Sequence, residues 1–161
     1  GRRAIGWEEI LDGDPSTDTV VHWWRYRNHG ETALRKALER GHRVLCSPNS
    51  LCYLSFPVNP DQNFRPERTS DLEKVHSAEY APRDLPDAER ELIVGAECCV
   101  WTEYLVEEQI GSMLFPRVLA CAELMWSHPR ERDFGEFRGR VRFARGFWRG
   151  RGVEYGPEAS G

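Results

Sequence analysis

Three tryptophans stand near acidic residues in this sequence, a combination that suits the binding of a sugar. The indoles are Trp7, Trp24 and Trp101, and Tyr53 adds a fourth aromatic group. Flat aromatic surfaces pack against the C–H faces of a sugar ring, while a carboxylate such as that of Glu103 accepts hydrogen bonds from its hydroxyls. One tryptophan by itself is more typical of an ordinary core. Taken together, the set favours a carbohydrate-binding cavity.

Short apolar segments predict the strands that carry these residues. Apolar, β-branched or aromatic runs predict four strands, at residues 4–11, 19–24, 43–47 and 92–103. Apolar residues at helical spacing predict helices at 31–40 and around 116–127, and a final helix marked by Phe134, Phe137, Val141, Ala144 and Trp148. Strands that alternate with helices predict an α/β fold built from parallel βαβ units.

Successive side chains of a strand point to opposite faces, and this alternation predicts which of them share a face of the sheet. It places Trp7 with Glu9, Trp24 with His22, and Trp101 with Glu97 and Glu103. Sites of α/β proteins lie at the carboxyl ends of the strands, so we expect these groups to converge there. The stretch from Phe56 to Glu91 has five prolines and little periodicity, which predicts one long loop.

Composition excludes several classes of protein. A length of 161 residues, with 40% hydrophobic and 30% charged residues, is typical of one compact unit or of part of a larger one. No run approaches the roughly 18 apolar residues that cross a bilayer, so no membrane span is predicted. The net charge of −4 disfavours a generic nucleic-acid binder. Segment 130–151 carries eight arginines against three acidic residues, but its apolar face predicts a solvated helix rather than a nucleic-acid site.

Six blocks of the sequence, in order and in register, are similar to those of the family 20 glycoside hydrolases, the β-N-acetylhexosaminidases. They run over nearly the whole chain, from Gly6 to about Val153. The blocks are GWEEIL at 6–11, VHWWR at 21–25, GHRVLCSP at 41–48, CYL at 52–54, WTEY at 101–104, and FPR at 115–117 followed by AE at 122–123 and WS at 126–127.

The resemblance implies the C-terminal half of a (β/α)8 TIM barrel, its last four strands and helices, so that residues 1–161 form part of a family 20 catalytic domain. The family hydrolyses terminal, non-reducing N-acetylglucosamine or N-acetylgalactosamine residues of glycans with retention. The acetamido oxygen of the substrate attacks the anomeric carbon, a Glu acts as general acid, and a neighbouring Asp orients the acetamido group. The His-x-Gly-Gly-Asp-Glu type of block that holds this pair does not occur in the 161 residues.

The resemblance implies roles for the same three tryptophans, for the tyrosine and for the glutamate. Trp7, Trp24 and Trp101 resemble the three indoles that wall the acetamido pocket and hold the attacking oxygen in place. Tyr53 resembles the tyrosine whose hydroxyl bonds the acetamido oxygen and supports the oxazolinium charge. Glu103 resembles the carboxylate that receives sugar hydroxyls, chiefly at position 4.

Two positions qualify this correspondence. Trp24, directly before Arg25, matches the pocket indole of the family better than Trp23 does. Ser55 stands where the family usually has Asp or Asn, so contacts to the outer sugar hydroxyls are in question.

Other kinds of site are disfavoured. Five cysteines and five histidines have no usual zinc-ligand spacing, so no metal is predicted, and the cysteines are expected to be mostly buried thiols. On a strand, Glu97 and Glu103 would lie about 20 Å apart, beyond the roughly 5 to 9.5 Å of carboxylate pairs that act directly on a glycosidic bond.

Two functions therefore stay open. The chain is either a fragment of a β-N-acetylhexosaminidase, inactive until the missing N-terminal half of the barrel supplies the Asp-Glu pair, or an inert carbohydrate-binding remnant. No organic cofactor is implied, and N-acetylhexosamine-terminated glycans are the expected ligands. A secreted, periplasmic or lysosomal location would be usual for the family.

Overall fold

A computed structural model describes residues 1–25, 30–58, 69–103, 105–127 and 131–158. The chain forms two compact units. The first contains Gly1–Asn49 and Tyr80–Glu97, and the second contains Ser50–Glu79 and Cys98–Gly161. Each unit has a hydrophobic core of its own.

The first unit is built on a sheet of four parallel strands. They are β1 (Ile5–Trp7), β2 (Val20–Trp23), β3 (Val44–Cys46) and β4 (Ile93–Ala96), and they lie in the order β1-β2-β3-β4. Because all four run in the same direction, their carboxyl ends lie at one edge of the sheet. The register of β3 and β4 shifts by one residue opposite Leu45, where Gly95 adopts a φ of +145° that other residues rarely tolerate.

Helices cover the sheet of the first unit. A 3-10 helix, Glu8–Asp12, follows β1 at once, α1 spans Gly30–Glu39, and α4 spans Asp87–Arg90. Gly41, with a φ of +78°, ends the turn after α1, as glycine commonly does. The apolar face of α1 packs with the inner side chains of β2 and β3 to form a core of Leu11, Val21, Trp23, Leu34, Ala37, Leu38, Val44, Cys46, Ala81 and Leu85.

The second unit is helical. Its helices are α2 (Asn49–Cys52), α3 (Leu72–Ser77), α5 (Glu107–Leu114), α6 (Arg117–Trp126) and α7 (Phe134–Arg149). The carboxylates of Asp71 and Asp133 accept the backbone N–H groups that open α3 and α7, each at 2.8 Å, and so cap these helices. The core consists of Leu54, Leu72, Val75, Ala120, Cys121, Phe137 and Val141.

One buried cation ties the second unit together. The side chain of Arg117 is 1% exposed, and its guanidinium donates hydrogen bonds to four backbone carbonyls. The acceptors are the carbonyls of Leu54 at 2.7 Å, Phe56 at 2.8 Å, Ser70 at 3.0 Å and Met113 at 2.7 Å. Burial lowers the pKa of Arg117 to about 10, so the group stays charged at neutral pH. The loop after α2, the segment before α3 and the end of α5 are thereby joined at one point.

The predicted α/β class and the four parallel strands are confirmed, but the predicted extents of two strands are wrong. β1 ends at Trp7, because Glu8–Asp12 winds into a 3-10 helix, and β4 ends at Ala96. Glu9, Glu97, Trp101 and Glu103 therefore lie outside the strands. The alternation of a strand cannot predict that Glu9 shares a face with Trp7, or that Trp101 and Glu103 share one with Glu97. A short apolar run does not by itself show where a strand stops, because the pairing of neighbouring strands decides its length.

The predicted long loop is partly ordered into helices. Within residues 56–91 lie α3 and α4, while residues 59–68 fall outside the described part of the chain. Helix α1 and the two predicted C-terminal helices, α6 and α7, are found close to their predicted limits. In the part of the chain that the structure describes, no helix is both long enough and apolar enough to cross a membrane.

Loss of the Arg117 guanidinium should destabilise the second unit. We expect Arg117→Met to lower the free energy of unfolding by about 3–5 kcal/mol, because the carbonyls would stay buried without donors. Arg117→Lys keeps the charge but cannot reproduce the planar fork, and should be intermediate. Thermal unfolding followed by circular dichroism measures this. Arg142→Met, at an exposed position of α7, is the matched control and should change stability little.

The edges of the sheet should make the chain self-associate. β1 and β4 are the outer strands, and they expose Ile5 by 60% and Val94 by 49%. Exposed apolar edges are templates for pairing with another chain. Sedimentation velocity should detect oligomers, and the double variant Ile5→Lys, Val94→Lys should shift them towards monomer. Thr32→Lys, at an exposed position of α1, controls for added charge. A wild-type chain that is monodisperse and melts cooperatively would contradict this prediction.

Candidate active site

Trp7 ends β1 and stacks on the ring of a buried histidine. The register pairs Trp7 with His22 of β2, which brings their side chains to the same face. The ring centroids lie 4.0 Å apart and the planes are inclined by 15°. His22 is 6% exposed and Trp7 is 37% exposed, so the imidazole backs one face of the indole. Part of the indole is therefore exposed at the end of β1.

His22 lies in turn beside Glu97, the residue that follows β4. The distance from Nε2 of His22 to Oε1 of Glu97 is 3.3 Å. Burial lowers the pKa of His22 below its ordinary value, and the charge of Glu97 opposes this shift without cancelling it. A Glu97–His22–Trp7 series therefore runs across the sheet. Alternation along single strands placed His22 with Trp24 and Glu97 with Trp101, and only the register between strands brings His22 and Glu97 together with Trp7.

Trp24 is oriented by a separate set of charged groups. Its indole N–H donates to the carboxylate of Glu9 at 3.2 and 3.3 Å, and the guanidinium of Arg25 lies 4.9 Å from the centre of its ring. Arg25 also forms an ion pair with Glu9. The alternation predicted that Glu9 lies with Trp7, but its carboxylate bonds the indole of Trp24 instead. The 3-10 helix turns Glu9 towards the end of β2.

The buried carboxylate of Glu8 binds the backbone of the same segment. Its side chain is 1% exposed, and Oε2 accepts the backbone N–H groups of Trp24 at 3.1 Å and Arg25 at 3.3 Å, while Oε1 lies 3.2 Å from Nη1 of Arg25. Burial raises the pKa of Glu8, and the two N–H donors and the Arg25 charge oppose that shift. Trp23, one residue earlier, is fully buried in the core. The two adjacent indoles therefore have different roles, and only Trp24 is presented beyond the strand.

In the second unit, Tyr53 and Trp101 form an aromatic pair. Tyr53 makes a parallel bridge with Cys99, which brings the segment after α2 beside the segment that leads to Trp101. The two ring centroids lie 5.7 Å apart at an angle of 54°, and Phe56 lies 6.0 Å from Tyr53. Tyr53 is 9% exposed and Trp101 is 38% exposed. Tyr53 is thus the buried member of the pair, and Trp101 presents an open surface.

The segment that follows Tyr53 is fixed by the guanidinium of Arg117. Arg117 binds the carbonyls of Leu54 and Phe56, the residues that surround Ser55. Arg117 stands in one of the six family blocks, but the sequence gives no sign of its role, because its acceptors Leu54 and Phe56 are about 60 residues away. Glu103, by contrast, is exposed, and Ser55 is half-buried. The five predicted site residues are thus divided between the units, with Trp7 and Trp24 in the first and Tyr53, Trp101 and Glu103 in the second.

The structure does not favour a metal site or a nucleic-acid site on α7. Among the described residues, no group of three or more His, Cys, Asp or Glu side chains could hold a metal ion. The arginines of α7 are largely engaged, since Arg138 pairs with Glu158 and Arg140 with Glu123. Further along the helix, Arg145 lies over the ring of Tyr155. His29, His128 and Arg130 fall outside the described residues.

Comparison with known proteins identifies the family. Residues 1–129 match the sequence profile described as glycosyl hydrolase family 20, catalytic domain. The chain belongs to this family. The resemblance found from the six blocks is thus confirmed, and the family 20 match includes every predicted site residue.

Individual relatives and solved structures support the same assignment. A β-N-acetylhexosaminidase of Cellulomonas fimi is 33% identical over 150 residues, which are 92% of this chain and 30% of the relative. The crystal structure of a β-N-acetylhexosaminidase from Bacteroides fragilis is 34% identical, with a TM-score of 0.84 over 99% of this chain and 33% of that one. An exo β-N-acetylglucosaminidase of Vibrio harveyi, solved with N-acetylglucosamine, is 28% identical, with a TM-score of 0.80 over 98% of this chain and 25% of that one.

These comparisons confirm the predicted TIM-barrel class, since the four parallel strands and their helices correspond to part of the family 20 barrel. The chain spans about a third of the length of the relatives it matches, or less.

The stacked histidine should titrate below its ordinary value. We expect the pKa of His22 to lie under 6.5 because of burial, and Glu97→Gln to lower it further by removing the carboxylate that favours the imidazolium. Titration of the imidazole proton by NMR, assigned by its absence in His22→Gln, measures this. Glu39→Gln, exposed on α1, should leave the midpoint unchanged.

The same shift has a consequence for stability. The unfolded chain takes up the proton more readily than the folded one, so the free energy of unfolding should fall as the pH drops below about 6.5. His22→Gln should lose less stability over this range. A His22 midpoint above 6.5 would contradict both expectations.

Proposed function

We propose that this chain supplies the acetamido pocket and part of the sugar subsite of a β-N-acetylhexosaminidase catalytic domain. The observation that carries the proposal is the family match over residues 1–129 together with the presence of the family's aromatic and acidic residues at their motif positions. Those residues are Trp7, Trp24, Tyr53, Trp101 and Glu103. The substrates would be glycans that end in N-acetylglucosamine or N-acetylgalactosamine.

The reaction is the substrate-assisted, retaining hydrolysis of the family. The acetamido oxygen attacks the anomeric carbon, the bond to the leaving group breaks, and an oxazolinium intermediate forms, which water then opens. The indoles confine the acetamido group so that its oxygen stays within attacking distance, which removes an entropy cost from the barrier. The hydroxyl of Tyr53 donates a hydrogen bond to that oxygen and lowers the energy of the charged intermediate.

The arrangement of the aromatic groups supports these roles. Trp7 and Trp101 are each more than a third exposed although each packs against a second ring, His22 and Tyr53 respectively. Large aromatic surfaces that are fixed on one side and open on the other suit stacking on a sugar or an acetamido group. Trp24 is fixed through Glu9 and Arg25. Ordering these rings before the ligand arrives reduces the entropy cost of binding.

The general acid has to come from elsewhere. The sequence contains no Gly-Gly-Asp-Glu block, and Glu97, the carboxylate at the end of β4, lies beside the imidazole of His22. We propose that the Asp-Glu pair belongs to a preceding half of the barrel and that the 161 residues alone are inactive. The coding sequence upstream of Gly1 tests this. An Asp-Glu pair after two glycines there supports an enzyme, and its absence favours the carbohydrate-binding remnant.

Binding and turnover of the chain itself can be measured separately. We expect N-acetylglucosamine to bind more tightly than glucose, which lacks the acetamido group, in an NMR or calorimetric titration. Trp101→Ala should weaken binding about tenfold or more through loss of a stacking surface. Tyr53→Phe should weaken it about twofold to tenfold, the effect of one hydrogen bond. Trp126→Ala removes an indole that is 93% exposed on α6 and is the matched control.

Hydrolysis of 4-nitrophenyl N-acetyl-β-glucosaminide by the same preparation should stay near background, because general acid catalysis contributes about 10²- to 10⁴-fold and its residue is missing. Turnover well above background that Glu103→Gln abolishes would mean that the chain carries its own acid. Equal affinity for N-acetylglucosamine and glucose would rule out the acetamido pocket.

A further inference from the structure

Three cysteines of the second unit lie together. Cys52 ends α2, Cys98 comes two residues after β4, and Cys121 lies in α6. The backbone N–H of Cys99 donates to the carbonyl of Cys52 at 2.8 Å, which brings the first two segments side by side. Cys98 packs against the core cluster that contains Cys121. All five cysteines of the chain are thiols rather than disulfides.

Cys98 occupies the centre of this group. Its sulfur hydrogen-bonds with the thiols of Cys121 and Cys52, and these bonds lower the pKa of Cys98 well below that of an ordinary thiol. The pKa of Cys121 is raised by the same contact with Cys98 and by burial, while Arg117 faces it and opposes the shift. The cluster therefore ionises first at Cys98, and the two neighbours stabilise the thiolate as hydrogen-bond donors.

Accessibility distinguishes Cys98 from its two thiol partners. Cys98 is half-buried, as the adjacent Cys99 is, whereas Cys52 and Cys121 are 0% and 2% exposed. A thiolate that a reagent can reach, beside a second thiol that it cannot, is the arrangement found where a reactive cysteine has a resolving partner. Cys46, in the first unit, has neither property, since it is buried and burial raises its pKa to about 12.

We propose that Cys98 is a thiol-modification site: its sulfur attacks a low-molecular-weight disulfide, and Cys121 then displaces the attached thiol to leave a Cys98–Cys121 disulfide. Neither the family assignment nor the sugar site enters this proposal. The ligand class is a small disulfide, R–S–S–R, that can reach a half-buried sulfur.

The two steps balance. In the first, the Cys98 thiolate forms a bond to one sulfur of R–S–S–R, the S–S bond breaks, and R–S⁻ leaves. In the second, Cys121 gives its proton to solvent, its sulfur attacks that of Cys98, and a second R–S⁻ leaves. Two protein thiols are oxidised, and one small disulfide is reduced to two thiols. The product links the segment that leads to Trp101 with α6.

The first step is tested by alkylation of the full chain. Iodoacetamide reacts with thiolates, so the rate of an ordinary thiol falls about tenfold for each pH unit below its pKa of about 8.5. We expect the rate at Cys98, followed by mass spectrometry with fragment ions that separate Cys98 from Cys99, to stay nearly constant between pH 8 and pH 6. Cys46 is the internal control and should stay unreactive in the folded chain. A tenfold fall per unit at Cys98 would overturn the proposal.

The second step is tested with 5,5′-dithiobis(2-nitrobenzoic acid) in slight excess. Wild-type chain should gain a bond, reversible by dithiothreitol, between tryptic peptides 91–117 and 118–130, and fragment ions should place this bond at Cys98 and Cys121 and not at the neighbouring Cys99. The bond accounts for two equivalents of thionitrobenzoate, counted after subtraction of the adduct found on Cys99. Cys121→Ala should release one equivalent fewer and keep the adduct on Cys98, while Cys46→Ala should behave like wild type. A lasting adduct on Cys98 of the wild type, or a link from Cys52 to Cys98, would overturn the assignment, and neither result depends on how a variant folds.

Discussion

The second unit depends on the buried guanidinium of Arg117. Arginine offers five N–H donors in one planar group, and here it satisfies carbonyls from three separate segments. Loops without regular backbone pairing need such partners, because a buried carbonyl without a donor is costly. The cation also fixes the segment that follows Tyr53, since it binds the carbonyls of Leu54 and Phe56, one and three residues further along the chain.

The first unit depends on a different constraint, the parallel register of four short strands. That register sets Trp7 beside His22 and brings Glu97, after β4, within reach of the imidazole. A shift of one residue would send Trp7 to the opposite face and break the series. The two candidate aromatic residues of the first unit each contact ionisable groups: His22 stacks on Trp7, and Glu9 and Arg25 contact Trp24. These groups orient the exposed indole surfaces of that unit.

Much of this could be read from the sequence. The strand and helix types, the α/β class and the family all follow from local composition and from blocks of residues in a fixed order. The ends of the strands could not be read in the same way. Glu9 looked like a strand residue two positions after Trp7, yet it lies in a 3-10 helix and bonds Trp24. Local propensity is too weak to decide between these states when the segment is only a few residues long.

The sequence by itself determined which residues could meet a sugar, because an indole or a carboxylate has its chemistry wherever it lies. Tertiary structure alone decided which groups hold those residues and with what charge. His22 and Glu97 are 75 positions apart, and Arg117 is more than 60 positions from Leu54, so no local pattern connects them. The same holds for the thiols of Cys98 and Cys121, whose relative acidity comes from burial and mutual hydrogen bonding. Burial, register and long-range contact are properties of the folded chain, and they set the pKa values and orientations on which chemistry depends.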